Sequence, residues 1–249
     1  MILELQNLTF AFVPEKQILN DLSLTLEEQK IYALMGGNGA GKTTLFNLIT
    51  GFIKPRNGKI LFGGKNLAHQ QPYIINRHGI GRTFQDLRLI TKLTIKENII
   101  LAMQHNQTDN CFHAMLPEQF YRSTNKLLAQ RADAFVEEYH LGDVKNSLAS
   151  DVSYGQQKLL TLACCAANGA KLLLLDEAVA GIQPEFRNNI AKLICTLKEQ
   201  GKTILLIEHN TDFIADVADT IFFLQEGALT TFASMDELRE DKLVKEAYI

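Results

Sequence analysis

The sequence predicts an α/β fold: a mixed sheet core, an antiparallel β part at the N-terminus, and an α-helical part inserted in the middle. Three observations predict it. The opening stretches alternate apolar and polar residues. Later apolar runs are continuous. Between them lies a stretch with few β-rich runs and the spacing of amphipathic helices.

The alternating stretches are "ILELQNLTFAF" and "ILNDLSLTL", the pattern of half-buried antiparallel strands. "KIYALMGG" follows as a short apolar strand running into glycines, and "KTTLFNLITGF" has helical spacing. "GKILFGGKNL" reads as a further strand pair with glycine-rich turns. From about Asp86 to Leu148 the character changes. There "QRADAFVEEYHLGDV" carries the apolar stripe of an amphipathic helix, and "AMQHNQTDNCFHAMLPEQF" reads as loop. After it come a helix over "LLTLACCAANGA", a strand in "KLLLLDEAV", a helix over "EFRNNIAKLICTLKEQG" and a strand in "KTILLIEHN". Strands that are apolar without interruption are buried on both faces, so they belong to a parallel sheet covered by helices. "TIFFLQEGALTTFA" predicts a late strand and hairpin.

The chain has 249 residues, enough for a sizeable core as one large domain or a domain with an inserted lobe. Apolar residues make up 46% and charged residues 21%, as in an ordinary soluble globular protein. A net charge of -3 gives no electrostatic footprint for nucleic acid. The start "MILELQNLTF" lacks the basic region and long apolar run of a signal peptide. No apolar stretch reaches the roughly 18–20 residues that span a bilayer, so a membrane role is expected through a partner. Cys111, Cys164, Cys165 and Cys195 show no metal-type spacing and are expected to be reduced packing residues of a cytosolic chain.

Gly36, Gly41, Lys42 and Thr43 satisfy G-x-x-x-x-G-K-[ST], the phosphate-binding P-loop. A strand ends, the chain turns tightly and a helix begins, so the backbone N–H groups from Gly36 through Asn38, Gly39, Ala40 and Gly41 converge on one spot at the positive end of the helix. Lys42 can then reach the β- and γ-phosphates, and the Thr43 hydroxyl can ligate Mg²⁺. Thr44 is placed to contact the α-phosphate. The buried strand "LLLLDEA" delivers Asp176 as the Mg²⁺ anchor and Glu177 as the carboxylate that takes a proton from attacking water. "TILLIEHN" ends the neighbouring strand with Glu208, His209 and Asn210, which places His209 on the same sheet edge.

With these pieces in this order, and with "VSYGQQK" shortly before the Asp-Glu strand, the chain resembles an ATP-binding-cassette (ABC) transporter ATPase over nearly its whole length. "SYGQQ" is similar to the family's signature, more often written LSGGQ. The resemblance implies a P-loop NTPase (RecA-like) core at 1–86 and 159–235. It also implies a helical subdomain at 87–158 ending in the signature, and a helical tail at 236–249. Gln85 in "GRTFQDLRL" matches the glutamine loop between core and helical lobe, which implies a catalytic and Mg²⁺-binding role, and His209 matches the switch histidine. "AGIQPE" occupies the place of the D-loop, and Phe12 sits where an aromatic ring stacks on adenine. Two cassettes, identical or sister chains, are then expected to pair head to tail. Ser153, Gly155 and Gln156 of one would complete the ATP site of the other.

The long segment around Met103 to Lys126, the form SYGQQ, "IEHN" and the ending "VKEAYI" are similar to the branched-chain amino-acid uptake ATPases. Urea-uptake and lipopolysaccharide-export ATPases share parts of that pattern. The expected cofactors are ATP and Mg²⁺, and the expected partners are membrane permease subunits reached from the cytoplasmic face. A permease helix is expected to dock in the groove bordered by "DLRLITKLTIKENI". Soluble ABC ATPases of DNA repair or translation carry coiled-coil, zinc or second-cassette additions that this chain lacks. Ala178 stands where the family commonly has proline, and Gln183 where the D-loop commonly has Asp or Asn. Cys165 lies near an expected arginine. None of these removes a phosphate ligand or the base.

Overall fold

The computed structural model describes residues 1–13, 15–84, 87–104 and 122–247. Strands β1 (Leu3–Val13) and β2 (Lys16–Leu26) pair antiparallel, as their alternation requires. Strand β3 (Ile31–Met35) is buried at every position and feeds the glycine loop, from which helix α1 (Lys42–Ile49) emerges. Strands β4 (Asn57–Phe62) and β5 (Lys65–Asn66) follow, then α2 (Pro72–Arg77) and β6 (Ile80–Arg82). Helices α3 (Ile95–Gln104) and α4 (Arg122–Glu138) come next, then a 3₁₀ turn at Gly142–Val144 and α5 (Tyr154–Ala167). The chain continues through β7 (Leu172–Asp176), α6 (Pro184–Glu199), β8 (Thr203–Ile207), α7 (Thr211–Val217), β9 (Thr220–Gln225) and β10 (Ala228–Phe232). It closes with α8 (Met235–Glu240) and α9 (Lys242–Ala247).

The strands form two sheets. One is antiparallel in the order β2-β1-β4-β5; the other has the order β10-β9-β3-β8-β7-β6. In the second, β9, β3, β8, β7 and β6 run parallel, and only β10 turns back, so the sheet is mixed. Successive side chains of its central strands enter two different apolar layers, as the two-residue period of a strand demands. Tyr32, Leu34, Leu174, Leu205 and Phe222 face the antiparallel sheet and α1. Ala33, Met35, Leu173, Leu206 and Phe223 face the other way, onto α5, α6 and α7. On α1, Leu45, Phe46, Leu48 and Ile49 are fully buried, each contributing about 1.5–3 kcal/mol relative to exposure. That burial anchors the helix whose start is the candidate phosphate site.

Some helix limits differ from the sequence reading. α1 stops at Ile49 because Gly51 takes a left-handed φ of 75°, so the Thr50–Phe52 end of the periodic run is a turn. α4 stops at Glu138, short of the apolar stripe's end. His140 adopts φ 55°, and the buried Tyr139 and Leu141 pack from the turn that follows. The stretch read as loop from Ala102 is helical through Gln104, as the end of α3. Its remainder, with Cys111, lies outside the described residues. Cys164, Cys165 and Cys195 are free thiols, and burial pushes the pKa of Cys164 and Cys165 up to about 12.

Candidate active site

Three neighbouring parallel strands, β3, β8 and β7, present their C-terminal ends on one edge. β3 ends in the glycine loop. Gly36 has φ 147°, and a Cβ there would overlap the carbonyl oxygen of Leu224 on β9, so the loop can leave the sheet only with a bare residue. Gly39 is different: a side-chain atom there would meet nothing within 4 Å. Packing does not require glycine at that point; the left-handed φ of 79° does, and the bare backbone leaves the space above it open. Gly41 stands at the N-cap of α1 with no side chain to cap it, and no acidic residue occupies the first turn. The first N–H groups of α1 therefore keep their capacity for an anion.

Lys42 is buried and folds back over the loop, its Nζ donating to the carbonyl oxygens of Gly36 (2.7 Å) and Gly37 (2.9 Å). Burial lowers its pKa, opposed by the negative charges of Glu177 and Asp176. A phosphate beside it would favour the charged ammonium that burial disfavours. Thr43 is exposed and Thr44 half-buried beside it.

Asp176 closes β7, its N–H donating to the Thr83 hydroxyl at 3.0 Å. Its Oδ2 lies 3.3 Å from Nη2 of Arg82, both side chains almost fully buried. Burial raises the Asp176 pKa, and the Arg82 charge and hydrogen bond pull it back. Arg82 is held in turn by Asn47 Oδ1 (2.7 Å) and Thr50 Oγ1 (3.2 Å) of the α1 region, and it lies over the rings of Phe46 and Phe84. The pair thus fastens the end of β7 to α1 through β6.

Glu177 follows in a left-handed conformation, φ 50°, its N–H donating to the Ile207 carbonyl at 3.0 Å. Its Oε1 is 3.8 Å from Nε2 of His209, whose side chain is 45% exposed and therefore reachable. Glu208, only 3% exposed, points the other way: its Oε1 accepts from the Val179 N–H at 2.8 Å. Its Oε2 accepts from the N–H of His209 at 3.4 Å. Burial raises its pKa, and those two hydrogen bonds oppose the rise.

The remaining residues singled out in the sequence form two other groups. Ser153 caps α5 in a reciprocal box: Oγ accepts from the Gln156 N–H (3.3 Å) and Gln156 Oε1 accepts from the Ser153 N–H (3.0 Å). Gly155 faces the ring of Phe186. Phe12 is 66% exposed and stands edge-on to the buried Phe10, with ring centroids 4.9 Å apart, so it is not a core residue. Gln85 lies outside the described residues.

Lys42, Asp176, Glu177 and His209 thus come together at one sheet edge, while the Ser153 group occupies the surface start of α5. Sequence reasoning passed over Arg82, Thr83 and Lys158, and it mentioned Glu208 only as the end of a strand. "GRTFQ" held a cation beside Gln85, but nothing local pairs it with Asp176.

Set beside known proteins, residues 19–180 match the family described as ABC transporter. Over 249 residues the chain is 32% identical to the high-affinity branched-chain amino acid transport ATP-binding protein BraF of Pseudomonas aeruginosa, covering 100% of this chain and 97% of that one. Over 232 residues it is 34% identical to LivG of Escherichia coli K12, a protein described in the same words, covering 93% and 91%. A nucleotide-free ATP-binding cassette from an ABC transporter superposes with a TM-score of 0.83 at 27% identity, covering 100% of this chain and 98% of that one. Such subunits dimerise and work with membrane permease components, and among the described residues no helix is long and apolar enough to cross a membrane. A chain built around this edge, and alike over its whole length to these cassettes, belongs to the ABC transporter family as an ATP-binding, ATP-hydrolysing subunit.

Proposed function

We propose that the chain hydrolyses MgATP at the β3–β8–β7 edge to drive uptake of branched-chain amino acids through a permease at the cytoplasmic face of the membrane. The observation that carries the site reading is the carboxylate of Glu177 standing 3.8 Å from His209, beside a lysine-bearing glycine loop. The solute reading is supported by likeness to BraF and LivG along the chain. The division into a core at 1–86 and 159–235, a helical subdomain at 87–158 and a tail at 236–249 is part of the same proposal.

In this reading the loop N–H groups from Gly36 to Gly41 and the ammonium of Lys42 hold the β- and γ-phosphates, and Thr44 holds the α-phosphate. Lys42 exchanges its bonds to Gly36 and Gly37 for the terminal phosphate. Phe12, already exposed, stacks on the adenine at little cost in rearrangement. The Thr43 hydroxyl and the Asp176 carboxylate offer the hard oxygen donors that magnesium takes, and they, with the Gln85 side chain, would hold the ion. When bound, the ion neutralises charge on the β- and γ-phosphates. Glu177 accepts the proton of the attacking water, and His209 steadies the γ-phosphate. Ser153, Gly155 and Gln156 serve the nucleotide of a second cassette, identical or a sister chain. Arg82, Phe84, Arg88, Ile90 and Leu101 border a cavity of about 510 Å³, the proposed seat for a permease helix.

The test is Glu177→Gln. With the permease present, ATP turnover is expected to fall by about 10²–10⁴ while MgATP affinity is kept. Uptake of radiolabelled leucine in cells carrying only the variant is expected to fall to background. Near-native turnover would remove Glu177 as the base, and intact leucine uptake with turnover abolished would remove the solute.

A further inference from the structure

We infer that Lys158 is a positioning residue for Glu177 and ties the signature turn of this chain to the base of its own ATP site. The inference rests on the reading of Glu177 as the base and goes beyond it.

Lys158 lies one turn into α5, past Ser153, Tyr154 and Gly155. It is 6% exposed, and its Nζ donates to the main-chain carbonyl oxygen of Glu177 at 2.8 Å. The same ammonium lies 5.6 Å from the centre of the Tyr154 ring. Asp176 and Glu208 both feel its charge. A buried cation is an expensive way to fill space, and an apolar side chain of similar length would pack there at least as well. Stability therefore does not explain a lysine at this point.

What the lysine grips does explain it. Glu177 has φ 50°, a conformation that few residues other than glycine adopt. Its peptide groups are held on both sides: the N–H donates to Ile207, and the C=O accepts from the Lys158 ammonium at 2.8 Å and from the Ala180 N–H at 3.3 Å. Together they fix the direction in which the carboxylate leaves the chain, and hence its distance from His209. Two further contacts bind the same pieces: the Tyr154 ring lies against Gly181, and Gly155 lies against the Phe186 ring. The turn that would meet a neighbouring chain's nucleotide is thus braced directly against the segment that begins with Glu177. A shift of α5 on engaging that nucleotide reaches Glu177 through one hydrogen bond. Binding at one site of a pair would in this way adjust the base of the other.

Lys158→Met and Lys158→Arg in the full chain, with Glu177→Gln as reference, separate the possibilities. In Lys158→Met, kcat is expected to fall about tenfold or more, with KM for ATP and affinity for a fluorescent ATP analogue within about twofold of native. The melting temperature is expected to stay level or rise, since a buried charge is removed. Lys158→Arg keeps a donor and a charge and is expected to recover most of the lost turnover. Native turnover in Lys158→Met with Glu177→Gln inactive would overturn the inference and spare the base. A loss of affinity and melting temperature in step with turnover would overturn it too, as the mark of a merely structural residue. Native turnover in Glu177→Gln would overturn both.

Discussion

Glu208 illustrates a residue whose work is hidden from the sequence. It is a buried carboxylate that receives the N–H groups of Val179 and His209, and so joins the turn after Glu177 to the end of β8. Burial raises its pKa above the ordinary 4.5. The unfolded chain then gives up this proton at lower pH than the folded chain does. Stability must therefore fall as pH rises from about 4.5 through the raised value, and level off above it. Glu208→Gln removes that part of the slope. Its amide oxygen can still accept from Val179, whereas its NH₂ would face the His209 N–H. Denaturation midpoints over roughly pH 4–8 should show the variant gaining on the native chain as pH rises. A constant offset would count against this account. Lys42, Asp176, Glu177 and His209 were legible because each is announced by a motif or strand end in its own neighbourhood. Arg82, Lys158 and Glu208 were not, because they find their partners 94, 19 and 29 positions away.

At the level of elements, stretches with a clear apolar pattern could be read whatever their length, and those without one could not. β1 and β2 alternate, β3, β7 and β8 are apolar throughout, and both patterns translate directly into burial on one face or two. β6 has three residues, one of them glycine, and exists only because β7 lies alongside it. α2 and α7, at six and seven residues, are too short for a period to emerge. The crossing of β1 and β4 offers a direct check on how tightly such elements fit. β1 bulges between Gln6 and Thr9, and Gly58 of β4 sits against the bulge with φ 99°. A Cβ at Gly58 would come within 2.6 Å of the carbonyl oxygens of both Gln6 and Asn7. Gly58→Ala is expected to cost about 1–3 kcal/mol from the backbone conformation alone. In a chain of this size that corresponds to a melting temperature lower by several degrees, read by calorimetry. An unchanged melting temperature would mean that the bulge relaxes freely.

For the molecule as a whole, the class and the layering followed from the order of patterns, whereas the way the layers lock together became visible only in three dimensions. The six-stranded sheet is lined on one side by α1 and the antiparallel strands and on the other by α5, α6 and α7, with an apolar layer against each side. Ala33, Leu174 and Leu205, on the interior strands β3, β7 and β8, have no exposed surface. Their amides should exchange with deuterium only when the entire chain unfolds, while those of β10 at the sheet edge exchange earlier. Faster exchange at β7 than at β10, measured by mass spectrometry, would contradict this. The sheet is therefore a party wall. Neither tenant can renovate alone: loosening the helical side would thin the same strands that aim the glycine loop. A substitution meant to alter one side alone is for that reason expected to be tolerated in loops and rims, away from the strands that both halves share.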